Sequence, residues 1–305
     1  MSRVKQLVIL SGKGGTGKTS VTAAFAHLAV GSQPNGLRAV LVDADVDAAN
    51  LELVLAPERL EMHEFVGGDV AVIDAERCTA CGVCVEACRF EALAAPADDR
   101  PPQVDPVACE GCAACVYRCP NQAISMQPQL AGHWFRSTTG YGPLIHAALR
   151  PGQQNSGKLV TLVKQQARLL ALDESYPLLL VDGPPGIGCP VISAAAGADL
   201  VLIVTEPTTA GIHDLARVLQ TSRHFKLPTL VCVNKADLYP AGTATIKTYC
   251  QQEQVELVGC IPFDTVVTQA MVAGVPVTAY ADGPVTQALR QVWARVKGSL
   301  GLPGA

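Results

Sequence analysis

The chain has 305 residues, enough for about two domains at ~150 residues each. Apolar residues make up 49% and charged residues only 16%, which supplies a large core and excludes a disordered or polyelectrolyte chain. Net charge is −4, from 23 basic and 27 acidic residues, so no global basic field draws nucleic acid, and aromatics at 5% leave little for base stacking.

In chain order, residues 6–10 form an apolar run that ends in glycines, 19–30 an Ala-rich helix, and 38–43 a second apolar run that stops at acids. No run approaches the ~18 apolar residues of a membrane span, and the first ten residues lead directly into a strand without a signal sequence, so a soluble, cytoplasmic protein without membrane association is expected. From residue 159 the alternation resumes: helix 159–172, strand 178–182, strand 200–205, helix 212–221, strand 229–234, helix 243–254, strand 257–261 and helix 285–300. Apolar strands without polar alternation, separated by helices, predict an α/β fold with a doubly wound, mostly parallel sheet covered on both faces. Residues 132–157, rich in Gly, Ser and Thr without clear period, read as a loop.

Eight of the 12 cysteines lie between Cys78 and Cys119. Cys78-Thr-Ala-Cys81-Gly-Val-Cys84-Val-Glu-Ala-Cys88 recurs 31 residues later as Cys109-Glu-Gly-Cys112-Ala-Ala-Cys115-Val-Tyr-Arg-Cys119, and Asp74 and Asp105 echo each other ahead of the two runs. A Pro/Asp-rich connector at 95–102 separates the copies. Residues 70–127 therefore read as a small two-fold repeat inserted between two parts of one α/β domain, 1–69 and 128–305. Dense cysteines in such a chain point to metal rather than disulfides. Thiolates suit iron or zinc, but three close cysteines and a distant fourth match a cubane better than the paired C-x-x-C of zinc sites. In this ferredoxin-type run the fourth cysteine serves the other cluster, which predicts two [4Fe–4S] clusters, one on Cys78, Cys81, Cys84 and Cys119 and one on Cys109, Cys112, Cys115 and Cys88. Arg89 stands where a proline is expected after Cys88.

Gly12-Lys13-Gly14-Gly15-Thr16-Gly17-Lys18-Thr19-Ser20 fits G-x-x-x-x-G-K-[ST] between an apolar strand and a helix. Backbone N–H groups of such a loop cradle phosphate, Lys18 neutralises β/γ oxygens and Thr19 offers its hydroxyl to Mg²⁺. A similar run at 152–159 carries Leu159 in place of Ser or Thr and follows Arg150-Pro151, not a strand, so it is not a second nucleotide site. Asp43, Asp45 and Asp47 stand close after the second strand and call for a cation; Asp182 ends an apolar strand before Gly183-Pro-Pro-Gly186, where it would hold Mg²⁺ through water. Asn234-Lys235-Ala-Asp237 suits adenine or guanine.

The form Lys13-Gly-Gly-Thr-Gly-Lys18-Thr resembles the deviant P-loop of the MinD/ParA family, whose relatives include the nitrogenase iron protein. With the cysteine repeat, the whole chain resembles MinD-superfamily P-loop ATPases that contain an inserted ferredoxin domain. The resemblance implies ATP and ADP as nucleotides, a homodimer or a heterodimer with a paralogous ATPase, Lys13 reaching the partner's phosphates, Asp45 positioning the attacking water with Asp43 behind it near Mg²⁺, and adenine contacts from Asn234 and Pro262. It also implies a redox partner or a metallocofactor client protein. Cys189 matches the place of a cluster cysteine in the iron protein, which implies an interface metal or redox role, but packing beside a glycine turn is the favoured explanation. Glu206-Pro207-Thr208 matches the family pattern and is given no chemistry; His133 and His146 are assigned none. The stripe Val285, Leu289, Val292, Trp293, Val296 suits a helix closing the sheet, although MinD itself ends in a membrane-binding helix. The reading that results is an ATPase whose nucleotide state is coupled to electron transfer or partner binding through two clusters. Its rivals are an ATP-dependent cluster or cofactor assembly factor and a positioning ATPase with a redox sensor; an amide-forming ligase of cobalamin synthesis ranks last, since no glutaminase Cys–His arrangement is visible.

Overall fold

A computed structural model describes residues 3–31, 36–95, 100–150 and 156–303. Part of the Pro/Asp connector (96–99) and the start of the second glycine–lysine run (152–155) lie outside the described residues.

The elements are β1 (Lys5–Ser11), α1 (Lys18–Val30), β2 (Ala39–Asp43), α2 (Leu51–Leu55), β3 (Glu58–Ile73), α3 (Val83–Ala87), α4 (Ala114–Arg118), β4 (Ile124–Thr139), β5 (Gly142–Leu149), α5 (Ser156–Asp173), β6 (Leu178–Pro185), α6 (Cys189–Ala195), β7 (Leu200–Thr205), α7 (Thr209–His224), β8 (Thr229–Asn234), α8 (Pro240–Gln252), β9 (Glu256–Ile261), α9 (Val266–Val272), α10 (Val277–Tyr280) and α11 (Pro284–Leu300). The nine strands form one sheet in the order β3-β4-β5-β2-β6-β1-β7-β8-β9. From β5 to β9 every neighbouring pair is parallel, with Asp43 of β2 opposite Asp182 of β6.

The chain divides into two compact units, one of residues 1–63, 134–148 and 156–305, the other of residues 64–133 and 149–155. In the first unit the central strands alternate their apolar residues between two buried faces, which is why they read as continuous apolar runs. Leu7, Ile9, Leu41, Leu180 and Leu202 share one cluster with Phe25 of α1 and with Val285, Leu289, Val292, Trp293 and Val296 of α11. The apolar stripe of α11 is thus spent on the sheet. No described helix is long and apolar enough to cross a membrane.

Residues 132–149 are not a loop. They continue β4 and form β5, joined by a short turn in which the Thr139 hydroxyl donates to the carbonyl of Gly142 at 2.7 Å. These strands lack the uniform burial of the centre, so they carry Arg136, Ser137 and Thr138 where the central strands carry Val and Leu. His146 is buried on β5 with Nε2 2.9 Å from Ser137 Oγ; burial, with Arg59 nearby, drops its pKa to about 4 and keeps the ring neutral.

The second unit repeats itself in its backbone. Asp74 N–H donates to Ala123 O and Asp105 N–H to Ala92 O, both at 2.8 Å; Cys78 and Cys109 N–H reach back to Asp74 and Asp105 O at 3.0 and 3.1 Å. The left-handed positions also recur: Ala80 matches Gly111, Gly82 matches Ala113, and Glu91 matches Gln122. The 31-residue sequence repeat is therefore a structural two-fold.

One buried cation fixes a helix of the first unit. Lys164 of α5 donates to the carbonyls of Ser193, Ala194 and Ala196, which end α6. Burial, with Arg168 nearby, lowers its pKa to about 8, so it remains an ammonium at neutral pH and satisfies orphan helix carbonyls. Lys164→Met should cost roughly 2 kcal/mol of unfolding free energy, read from urea melts at pH 7.

Candidate functional site

The P-loop joins β1 to α1. Gly17 caps the helix with φ +92°, and a Cβ there would come within 2.3 Å of Asn234 Nδ2, so glycine is required on both counts. The loop is held from the end of β8: Asn234 Nδ2 donates to Thr16 O at 2.8 Å, and Lys235 Nζ donates to Gly15 O at 3.1 Å. Ser11 Oγ donates to Lys13 O at 2.7 Å. Lys18 is buried at the start of α1, and the buried Thr16 hydroxyl has no hydrogen-bond partner. Ser20 turns away, its hydroxyl 3.7 Å from Met271 Sδ.

Beside the loop lie the acids. Asp182 accepts from Thr19 Oγ1 at 2.7 Å and from Thr22 Oγ1 at 3.0 Å. Asp43 spends both oxygens on backbone N–H groups, of Asp45 at 3.1 Å and Leu51 at 2.9 Å, and so fixes the turn that carries Asp45 and the start of α2. Burial, then the repulsion of Asp182, raises the pKa of Asp43; burial raises that of Asp182 against Lys18 and the two threonines. Burial also pushes Asp45 up to about 6, opposed by Lys18 and assisted by Asp182 and Asp47. Asp43 and Asp182 are fully buried, and Lys18 acts on Asp45 and Asp182.

Lys13 and a residue given no chemistry by the sequence are found together. Lys13 Nζ lies 2.9 Å from Glu206 Oε2, and Lys235 Nζ lies 2.5 Å from Glu206 Oε1. Burial raises the pKa of Glu206, but hydrogen bonds from Lys235 and Lys13 outweigh it and hold the acid below its usual range. The signal available in the sequence was an acid closing an apolar strand, the same pattern that singled out Asp43 and Asp182.

At the expected base site, Asn234 uses Nδ2 on Thr16 O and Oδ1 on the N–H of Lys235, so its observed task is to hold the loop. Asp237 Oδ1 accepts from the N–H of Phe263 at 2.6 Å, tying the acid of N-K-x-D to the turn that contains Pro262. Pro262 lines an open cleft with Ala236, Asp237, Thr243, Lys247 and Cys260. Cys189 is exposed at the first position of α6.

In the second unit, one hollow is lined by Cys78, Cys81, Cys84 and Cys119, and another by Cys88, Cys109, Cys112 and Cys115. Each takes three thiols from one copy of the repeat and the fourth from the other. Apolar side chains complete the walls, Ile73 and Ile124 in the first, Leu93, Val104 and Met126 in the second. In the first, the N–H of Ala80 donates to Cys78 Sγ at 3.4 Å and that of Ala123 to Cys119 Sγ at 3.3 Å. Among the described residues no three Cys, His, Asp or Glu side chains are grouped for a single metal ion.

A family model described as the CobQ/CobB/MinD/ParA nucleotide binding domain matches residues 7–277. The chain belongs to this family. Among CobQ/CobB/MinD/ParA relatives, an uncharacterized protein of Methanocaldococcus jannaschii is 28% identical over 298 residues, 96% of this chain and 97% of its own length. An iron-sulfur cluster carrier protein of Pyrococcus horikoshii is 24% identical over 307 residues, 94% of this chain and 83% of its own. Among solved structures, the septum site-determining protein MinD of Pyrococcus horikoshii, complexed with Mg-ADP, superposes with a TM-score of 0.61 at 20% identity, covering 96% of both chains. This likeness establishes the fold, an α/β MinD-like P-loop fold with a mostly parallel sheet.

The raised pKa of Asp45 has a sign that can be checked in the ligand-free protein. Between the ordinary carboxylate range and about 6 the folded state holds a proton that the unfolded chain has lost, so stability falls as pH rises through this window. Asp45→Asn should therefore stabilise the nucleotide-free chain at pH 7 by about 1–2 kcal/mol, allowing for solvent screening, and by much less at pH 4. Thermal melts at the two pH values give the comparison; equal differences would contradict the assignment.

Proposed function

We propose that the chain is an ATP-hydrolysing, nucleotide-dependent dimer whose second unit holds two [4Fe–4S] clusters, with ATP turnover coupled to electron transfer or partner binding through that unit. Its main support is that one chain combines a P-loop flanked by three acids with two hollows of four cysteines each, crossed between the copies as the spacing predicts. Adenine is favoured over guanine by the resemblance to the MinD/ParA family.

In this reading Lys18 and the loop N–H groups bind the β- and γ-phosphates, and Thr19 and Asp182, joined here by a hydrogen bond, would hold Mg²⁺, which would neutralise phosphate charge when bound. Asp45, carried on the turn fixed by Asp43, orients water for in-line attack, and Lys13 of a second protomer stabilises the developing charge. In the second unit the eight cysteines serve as thiolate ligands, and the groups they hold supply one-electron chemistry.

A second reading is favoured by the iron-sulfur cluster carrier protein among the relatives: ATP-driven delivery of a cluster to a client protein. Retention separates the two. Clusters that stay bound when the loaded protein is mixed with an apo-acceptor support electron transfer; ATP-dependent loss of iron to the acceptor supports delivery.

Protein purified without oxygen should carry ~8 irons per chain, and Cys84→Ser with Cys119→Ser, or Cys112→Ser with Cys115→Ser, should each remove about half of them. Lys18→Ala should abolish ATP binding and leave the iron count unchanged. An iron-free protein that hydrolyses ATP would remove the clusters from the account, and an iron-loaded one blind to ATP would remove the P-loop chemistry.

A further inference from the structure

We infer that Glu206 is a positioning residue that holds Lys13 within its own protomer, and that Lys235 is the counter-ion that allows Lys13 to be released to a second protomer's nucleotide. The inference rests on the reading of Lys13 as a lysine that acts across a dimer.

The carboxylate is fixed before any ligand arrives. Glu206 follows directly on β7 and is only 8% exposed. Its own carbonyl is crowded by the start of α7: a Cβ on Gly211 would stand 2.3 Å from it, so no larger residue fits there. The same turn is locked by Thr208, whose hydroxyl accepts from Gly211 N–H at 3.0 Å, and by Thr205, whose hydroxyl donates to Gly211 O at 3.0 Å. Glu206 is thus held as an acceptor facing the P-loop, one oxygen to Lys13 and the other to Lys235.

The two lysines are not equivalent. Lys235 has a second acceptor, Gly15 O, and it follows Asn234, which is tied to Thr16 O, so its place is part of the scaffold. Lys13 sits on the loop, its side chain more than a third exposed, and among the described residues its ammonium is paired with Glu206 alone. A largely buried carboxylate stripped of its partners is strongly destabilising, whereas one that keeps a single ammonium is not. When Lys13 leaves for phosphate, Lys235 stays and the exchange strands no charge. Glu206 therefore sets a threshold on dimer formation, and Lys235 lowers it.

The two residues consequently push in opposite directions, which a merely structural role would not. The test is sedimentation of the full chain, purified without oxygen, titrated with a non-hydrolysable ATP analogue and Mg²⁺, with thermal melts to show that each variant is folded. Wild type should dimerise with the analogue and Lys13→Gln should not. Glu206→Gln should dimerise at about fivefold lower analogue concentration, the effect of one partly exposed ion pair, and Lys235→Met at severalfold higher concentration. A Glu206→Gln midpoint equal to wild type, or both variants displaced the same way, overturns the inference while leaving the dimer reading intact. A wild type that stays monomeric at saturating analogue, or a Lys13→Gln chain that dimerises normally, overturns the dimer reading itself.

Discussion

Two carboxylates, Asp43 and Asp182, face each other across neighbouring parallel strands with essentially no exposure to water. Burial raises the pKa of both, and the surrounding donors are arranged around them. Asp182 takes hydroxyl hydrogens from Thr19 and Thr22 on α1, and Asp43 takes backbone N–H groups from the turn before α2. The consequence is that the helix following the P-loop and the turn carrying Asp45 are both tied to the same buried charge. A ligand bringing a divalent cation to this point, as the proposed reading requires, would act on both at once.

The loop that meets the phosphates is held from the opposite side by neutral and ionic contacts of a different kind. Asn234, Lys235 and Glu206 come from the ends of β7 and β8, and together they hold the carbonyls of Gly15 and Thr16 and the ammonium of Lys13. The left-handed conformation at Gly17 and the carbonyls on either side of the loop's turn are thereby held in place. Preorganisation of this sort lowers the cost of binding, because the loop need not be ordered at that moment.

Much of this was legible in advance, and the exceptions have physical causes. The central strands were readable because both their faces are buried, and the P-loop because glycine and lysine spacing is dictated by phosphate geometry. The cysteines that line each hollow are the sets expected from the ferredoxin-type run, whose fourth cysteine serves the other copy. The strands β3, β4 and β5 were missed: β3 exposes Leu60, Met62 and Val66, and the stretch around Arg136–Thr139 is polar, so neither shows the uniform apolar run of a buried strand. Glu206 was missed for another reason. An acid closing an apolar strand was visible, but its pairing with Lys13 and Lys235, far from it in sequence, was not. His146 is similar: its burial against Ser137 follows from a strand that was not foreseen.

The account joins a nucleotide switch to a pair of cysteine cradles in one polypeptide, and the junction is its central claim. The most direct measurement is an anaerobic redox titration of the iron-loaded protein, followed by electron paramagnetic resonance, with no nucleotide, with Mg-ADP and with a Mg-bound ATP analogue. The account predicts that the ATP-analogue curve is displaced from the other two. Three superimposable curves, in protein shown to bind the nucleotides, would contradict it.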